Sequence, residues 1–171
     1  WKQKVYLALG DFQALYRLYP MLKKEKIMKK TEALELEQHI FFELLKNSEV
    51  EGDVVSLWKS GSSQIKNNPD LIQRYVKVLV KRGEAQAAEQ VLHAYLKQNW
   101  DESLVYSYGL IAGSDCKKQL AFMEFFLQSY QNNATLLLTL GRLALLNQLW
   151  GKAKDYLNAS VHLEAKPETY A

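Results

Sequence analysis

Hydrophobic positions between 135 and 160, TLLLTLGRLALLNQLWGKAKDYLNAS, fall into two helical runs separated by a polar break at Asn147-Gln148. Leu137, Leu140, Gly141 and Ala144 recur at the spacing of one helix face. Beyond the break, Trp150, Ala153, Leu157 and Ser160 repeat a helical spacing, with Lys152, Lys154 and Asp155 on the opposite side. Gly141 and Ala153 stand where a large side chain would hold two helices apart, so the pattern predicts a close-packed helical hairpin with both slots inside.

The same pattern recurs upstream. Steps of 32, 33 and 34 residues place Gly109, Val76 and Phe42 under Gly141. Ala121, Ala88 and Val54 fall in the same way under Ala153. Four residues after each alanine-type slot comes a large apolar side chain: Trp58, Leu92, Phe125 and Leu157. A helix–turn–helix period of about 34 residues is the tetratricopeptide spacing. The expected architecture is all-α, a solenoid of such hairpins forming one domain over 1–171.

Taken in order, 1–30 reads as a partial first unit, with Gly10-Asp11 as its turn and a helix from Asp11 to about Met28 that Pro20 can kink. Hairpins are expected over 31–68, 69–101, 102–133 and 134–166, and 167–171 reads as the start of a further helix. Thr31 and Asp101 are the expected N-caps, and Gly83 the left-handed C-cap. One continuous helix is expected to carry Val54, Leu57, Trp58, Gly61 and Ile65. Another is expected to carry Leu104, Val105, Tyr108 and Ala112, and a third Leu120, Ala121, Phe125 and Leu127. Both ends read as cut within a repeat.

Composition narrows the function classes. The chain has 171 residues, is 48% apolar and 24% charged, and carries a net charge of +3. Its one dense basic run, Lys23, Lys24, Lys26, Lys29 and Lys30, has Glu25 inside it. It reads as the solvated face of a long helix, with anionic lipid headgroups as the alternative contact. No cationic stripe of the kind that nucleic acid requires is visible, so no nucleic-acid partner is expected. The single cysteine, Cys116, excludes an internal disulfide. No stretch reaches the roughly 18 consecutive apolar residues of a membrane span, and the piece is expected to be soluble.

Several residues carry a more specific likeness. Trp100-Asp101, Leu104, Tyr108-Gly109, and Asn147 followed by Leu149-Trp150-Gly151-Lys152-Ala153 resemble the C-terminal tetratricopeptide domain of the HemY family, haem-biosynthesis-associated membrane proteins of proteobacteria. Pro167 to Ala171 resembles that family's next segment. The likeness extends from about Leu57 to the C-terminus. It implies a scaffold or adaptor in late protohaem synthesis, anchored at the bacterial inner membrane by N-terminal helices outside this chain. The cytoplasmic side is the expected location. Nothing resembles the flavin-dependent protoporphyrinogen oxidase that shares the name.

The resemblance carries no catalytic residues, and none is expected. His39, His93 and His162 fall in different units, without a second ligand one helical turn on, and read as surface residues. Cys116 reads as a free turn cysteine, so neither a metal nor a cofactor is expected. The binding reading has firmer geometry, because the first helix of each hairpin in such arrays lines a groove. Those positions are His39, Glu43 and Lys46, then Gln73, Lys77 and Lys81, then Tyr106 and Leu110, and last Leu138, Arg142 and Leu146. Lys77, Lys81, Arg142 and Tyr106 suit a carboxylate-bearing partner, either an acidic peptide or the propionates of a tetrapyrrole. Leucines on that face fit a contact with protein, and haem-synthesis enzymes are the partners that the resemblance implies. A tetrapyrrole carrier and a general peptide adaptor are the alternatives. Trp100 and Trp150, at helix breaks, are expected to close joints between repeats.

Overall fold

In the computed structural model, residues 2–25, 28–47 and 53–164 are described, and among them the chain is all-helical, without a strand. The helices fall into two compact units, Trp1–Lys81 and Arg82–Ala171.

The first unit contains α1 (Lys2–Leu9), α2 (Phe12–Lys24), α3 (Lys30–Asn47), α4 (Val54–Ser60), α5 (Ser63–Lys66) and α6 (Pro69–Lys81). Gly10 turns the chain at φ +67, a conformation that costs an ordinary L-residue about 1–2 kcal/mol. Asp11 then caps α2, its carboxylate accepting from the Ala14 amide at 2.9 Å. Leu15, Tyr19 and Leu22 on α2 pack against Ala33, Leu36, Ile40 and Leu44 on α3. Each fully buried leucine or isoleucine contributes roughly 2 kcal/mol.

Two expectations fail in this unit. The cap of α3 is Lys29, whose carbonyl accepts from Ala33 at 2.9 Å, rather than Thr31. Glu32 reaches back to the Lys29 amide at 3.1 Å and satisfies it, as the acid of a capping box does. The helix expected from Val54 to Ile65 divides into α4 and α5, because Gly61 is extended (φ −62, ψ 145). A Cβ on Gly61 would lie 2.9 Å from Ile65 Cγ2 and 3.1 Å from Phe41 Cε1. The break has a buried partner. Ser62 donates its amide (3.1 Å) and its hydroxyl (2.9 Å) to Glu37, which also accepts from the Tyr19 hydroxyl at 3.1 Å. These donors allow a carboxylate only 5% exposed to sit among apolar side chains.

The second unit contains α7 (Ala85–Leu96), α8 (Glu102–Tyr108), α9 (Cys116–Phe125), α10 (Leu127–Tyr130), α11 (Ala134–Leu146) and α12 (Trp150–Glu164). Gly83 has φ +78, as its left-handed role requires. Asp101, Asp115 and Asn133 cap α8, α9 and α11 through side-chain oxygens 3.0, 3.0 and 2.8 Å from the Leu104, Lys118 and Leu136 amides. The polar break at Asn147-Gln148 is instead the C-terminal end of α11, where Asn147 is the cap and Gln148 has φ +58.

Helix α11 is the centre of this unit and touches α8, α9 and α12. Leu137, Leu140, Gly141 and Ala144 are buried there, and so is Ala153 on α12. A Cβ on Gly141 would lie 2.6 Å from Leu157 Cγ and Cδ2, so α12 occupies the space that glycine leaves. On its other flank α11 meets α8. Thr139 donates its hydroxyl to the Val105 carbonyl at 3.0 Å, and a Cβ on Gly109 would come within 3.0 Å of Thr139 Cα.

The third copy of the repeat departs from the expected register. Helix α8 ends at Tyr108, leaving Ala112 outside it, and the segment before α9 is non-helical. Gln119 holds that segment: its amide nitrogen donates to the Tyr108 and Ile111 carbonyls (3.2 and 2.7 Å), and its oxygen accepts from Gly113 at 3.1 Å. Ala121 and Phe125 are therefore exposed, Phe125 to 67%, while Gln119, Leu120 and Met123 face inward. The first helical bonds give the equivalence directly. Amides of Leu15, Leu57, Ala88, Gln119 and Ala153 bond to carbonyls of Asp11, Asp53, Glu84, Asp115 and Leu149. Counted from the cap, Gln119 and not Ala121, and Leu57 and not Val54, fall where Ala88 and Ala153 do.

Trp100 stacks on Tyr130 with centroids 3.6 Å apart and leans on Phe126, closing a joint as expected. Trp150 does not. It is 66% exposed at the first position of α12. Pro167 to Ala171, read as a further helix, lie outside the described residues.

Candidate functional site

The groove positions read from the sequence divide between the units, and each set is described within its own unit. In the first, α3 and α6 lie side by side and leave a cleft of about 270 Å³ between them. Gln73 and Lys77 line it, as does Lys46 from α3. Lys46 is loosely paired with Glu43 at 3.9 Å, and His39 faces a neighbouring hollow instead. Lys81 ends α6 and is exposed.

One residue of this cleft was not singled out by the sequence reading. Arg74 sits over Phe42, its guanidinium carbon 3.5 Å from the ring centroid. At that distance the face of the ring attracts the cation and fixes its plane. Arg74, Lys77 and Lys46 stand against a single carboxylate, Asp70, on the cleft wall, so its local charge is positive. Sequence spacing puts Phe42 in a packing slot and gives Arg74 no face, so the pair emerges only where α6 meets α3.

In the second unit, Tyr106 on α8 and Arg142 on α11 meet, with the guanidinium carbon 4.6 Å from the tyrosine centroid. Arg142 is half-buried, and its Nη1 is shielded from solvent with no hydrogen-bond acceptor among the described residues. An unsatisfied buried donor costs about 1–3 kcal/mol. Leu110 and Leu146 are 60% and 45% exposed, and Leu138 is half-buried. Glu102, at the start of α8, is occupied by the Thr135 hydroxyl at 2.6 Å. Tyr106 and Arg142, two of the groove positions read from the sequence, thus lie together in this unit.

The remaining chemistry-bearing groups are tied to structure. His39 packs edge-on against Phe12, His93 lies over Phe122, and His162 is exposed near the end of α12. Cys116 opens α9 with its sulfur 3.7 Å from the Gly113 carbonyl. No group of three or more potential metal ligands occurs among the described residues. A polar hollow of about 300 Å³ between α7 and α9 holds Glu89, but that carboxylate accepts from Tyr108 at 2.6 Å. Burial, aided by Glu89, drives the Tyr108 phenol well above its ordinary pKa. Tyr156 is pushed up to about 12 by burial and by its bond to Glu124, which also pairs with Lys152 at 3.0 Å. No helix among the described residues is long and apolar enough to cross a membrane.

Compared with known proteins, the chain matches no family model, no curated protein and no solved structure.

Proposed function

We propose that this chain is a non-catalytic interaction module, built from tetratricopeptide-like helical hairpins, that holds a protein partner on the faces of its first-type helices. These are α3 and α6 in one unit and α8 and α11 in the other. The observation that carries the reading is the Arg142–Tyr106 pair set beside exposed Leu110 and Leu146. Apolar side chains left in water around an oriented cation suit a contact that removes them from solvent. The shared placement of Leu15, Ala88, Gln119 and Ala153 four residues after their caps supports the hairpin repeat.

The likeness of Trp100-Asp101, Tyr108-Gly109 and the Asn147–Ala153 run to the HemY family suggests the partner class. In this reading, enzymes of late protohaem synthesis are gathered at the bacterial inner membrane. The test is affinity capture from a proteobacterial membrane extract, with haem-synthesis enzymes as the expected yield. Lys77→Glu combined with Arg142→Glu should reduce that capture without lowering thermal stability. Recovery of no haem enzyme would remove the haem assignment, and undiminished capture by the double variant would remove the face. A tetrapyrrole carrier is the second reading, favoured by the same cations. Titration with protoporphyrin separates the two, because a scaffold gives no saturable Soret shift.

A further inference from the structure

Arg74 on Phe42 and Arg142 on Tyr106 are the same device built twice, once in each unit. In both, an arginine from one helix is laid on an aromatic ring of the preceding first-type helix. Neither arginine makes an ion pair with a carboxylate among the described residues. A guanidinium held over a ring keeps coplanar N–H donors at its edge, which match the two oxygens of a carboxylate. Lysine could supply the charge but neither the plane nor the fork.

The surroundings decide between anions. A nucleic-acid backbone calls for a run of cations at regular intervals. The second unit's arginine instead has Leu110, Leu138 and Leu146 as companions, and the first unit's shares its cleft with Phe42, Lys46 and Lys77 around the one carboxylate of Asp70. These surroundings fit a carboxylate flanked by apolar side chains.

We propose that Arg74 and Arg142 are carboxylate-reading positions, each within its own unit, and that the segment each takes is acidic and amphipathic, with Asp or Glu interleaved with leucine-like residues. This deepens the proposed function and rests on it. Because neither arginine is ion-paired among the described residues, each carboxylate bond is gained against water and is worth about tenfold in affinity.

The test uses the whole chain and two fluorescent peptides, one alternating Leu and Glu and one with every Glu replaced by Gln. Fluorescence anisotropy at low salt should show the Glu peptide binding at least about tenfold tighter. Arg74→Lys and Arg142→Lys should each weaken it about fivefold or more at unchanged melting temperature, while Lys154→Arg on α12 leaves it alone. Equal binding of the two peptides, or full binding by both Arg→Lys variants, would overturn carboxylate reading and leave a protein-binding face intact. Tighter binding of a single-stranded oligonucleotide would overturn it in favour of phosphate. If neither peptide binds, this inference falls, while the capture experiment, with its separate readout, still decides the proposed function.

Discussion

Replacing Gly141 with alanine tests how closely α11 and α12 are fitted. Inside a helix, glycine is about 1 kcal/mol worse than alanine, so the backbone by itself favours the change. The new Cβ would lie 2.6 Å from Leu157 Cγ and Cδ2, well inside contact distance. Its distance to the Leu157 backbone nitrogen is an ordinary 3.5 Å, so the collision is with a side chain alone. Overpacking of this kind costs about 1–3 kcal/mol. The expected result for Gly141→Ala is a net loss of roughly 1 kcal/mol, the balance of propensity and crowding. Leu157→Ala, at a half-buried site, should lose about 1–2 kcal/mol. With Leu157 shortened, the alanine at 141 should stabilise the chain, giving a coupling of about 2 kcal/mol in the double-mutant cycle. Urea unfolding followed by circular dichroism measures all four corners of the cycle. Additive losses, or a Gly141→Ala chain at least as stable as the parent, would refute the packing.

Gly109→Ala meets Thr139 Cα, which cannot be trimmed, so its loss of about 1–3 kcal/mol should persist when Thr139 becomes serine, as unfolding curves can check. Gln119→Leu strips the Tyr108 and Ile111 carbonyls of their buried donor and should cost about 2–4 kcal/mol, with faster amide exchange around Gly113 as its local sign. Asn133→Ala removes the cap of α11 and should cost about 1 kcal/mol in the same unfolding assay. Tyr19, Tyr108 and Tyr156 all have folded pKa values raised above the ordinary 10.0, so the folded state favours the neutral phenols. Their contribution is complete below pH 10.0 and, for Tyr156, is lost as pH climbs towards about 12. Tyr156→Phe should flatten that alkaline decline in a pH series of melting temperatures.

What the sequence disclosed was mainly local chemistry. Asp101 caps α8 through a side chain three residues from the amide it bonds, and Gly10 and Gly83 take up left-handed turns. None of these needs a distant partner, so spacing alone reveals them. The small slots at Gly141 and Ala153 were visible for a related reason, because a glycine and an alanine one hairpin apart imply close helices. Ala121 misled because a fixed period counts residues, whereas burial counts turns from the cap. The early end of α8 shifts that count, and the shift is stabilised by carbonyls that only the folded chain brings to Gln119. A buried glutamine reads as surface until those carbonyls are seen. Gly61 behaves alike, since its extended bend depends on Phe41 from another helix. Of the candidate faces, Tyr106 with Arg142 was legible as two groove positions in adjacent first-type helices. Arg74 was not, because its role arises from the ring beneath it.

Placing a partner on the first-type helices is most directly tested by hydrogen–deuterium exchange of this chain, free and bound to its captured partner. Protection should appear over 102–110 and 134–146, centred on Tyr106 and Arg142, with α9 and α12 exchanging as before. Protection concentrated on α9 and α12, with α8 and α11 unchanged, would contradict the account.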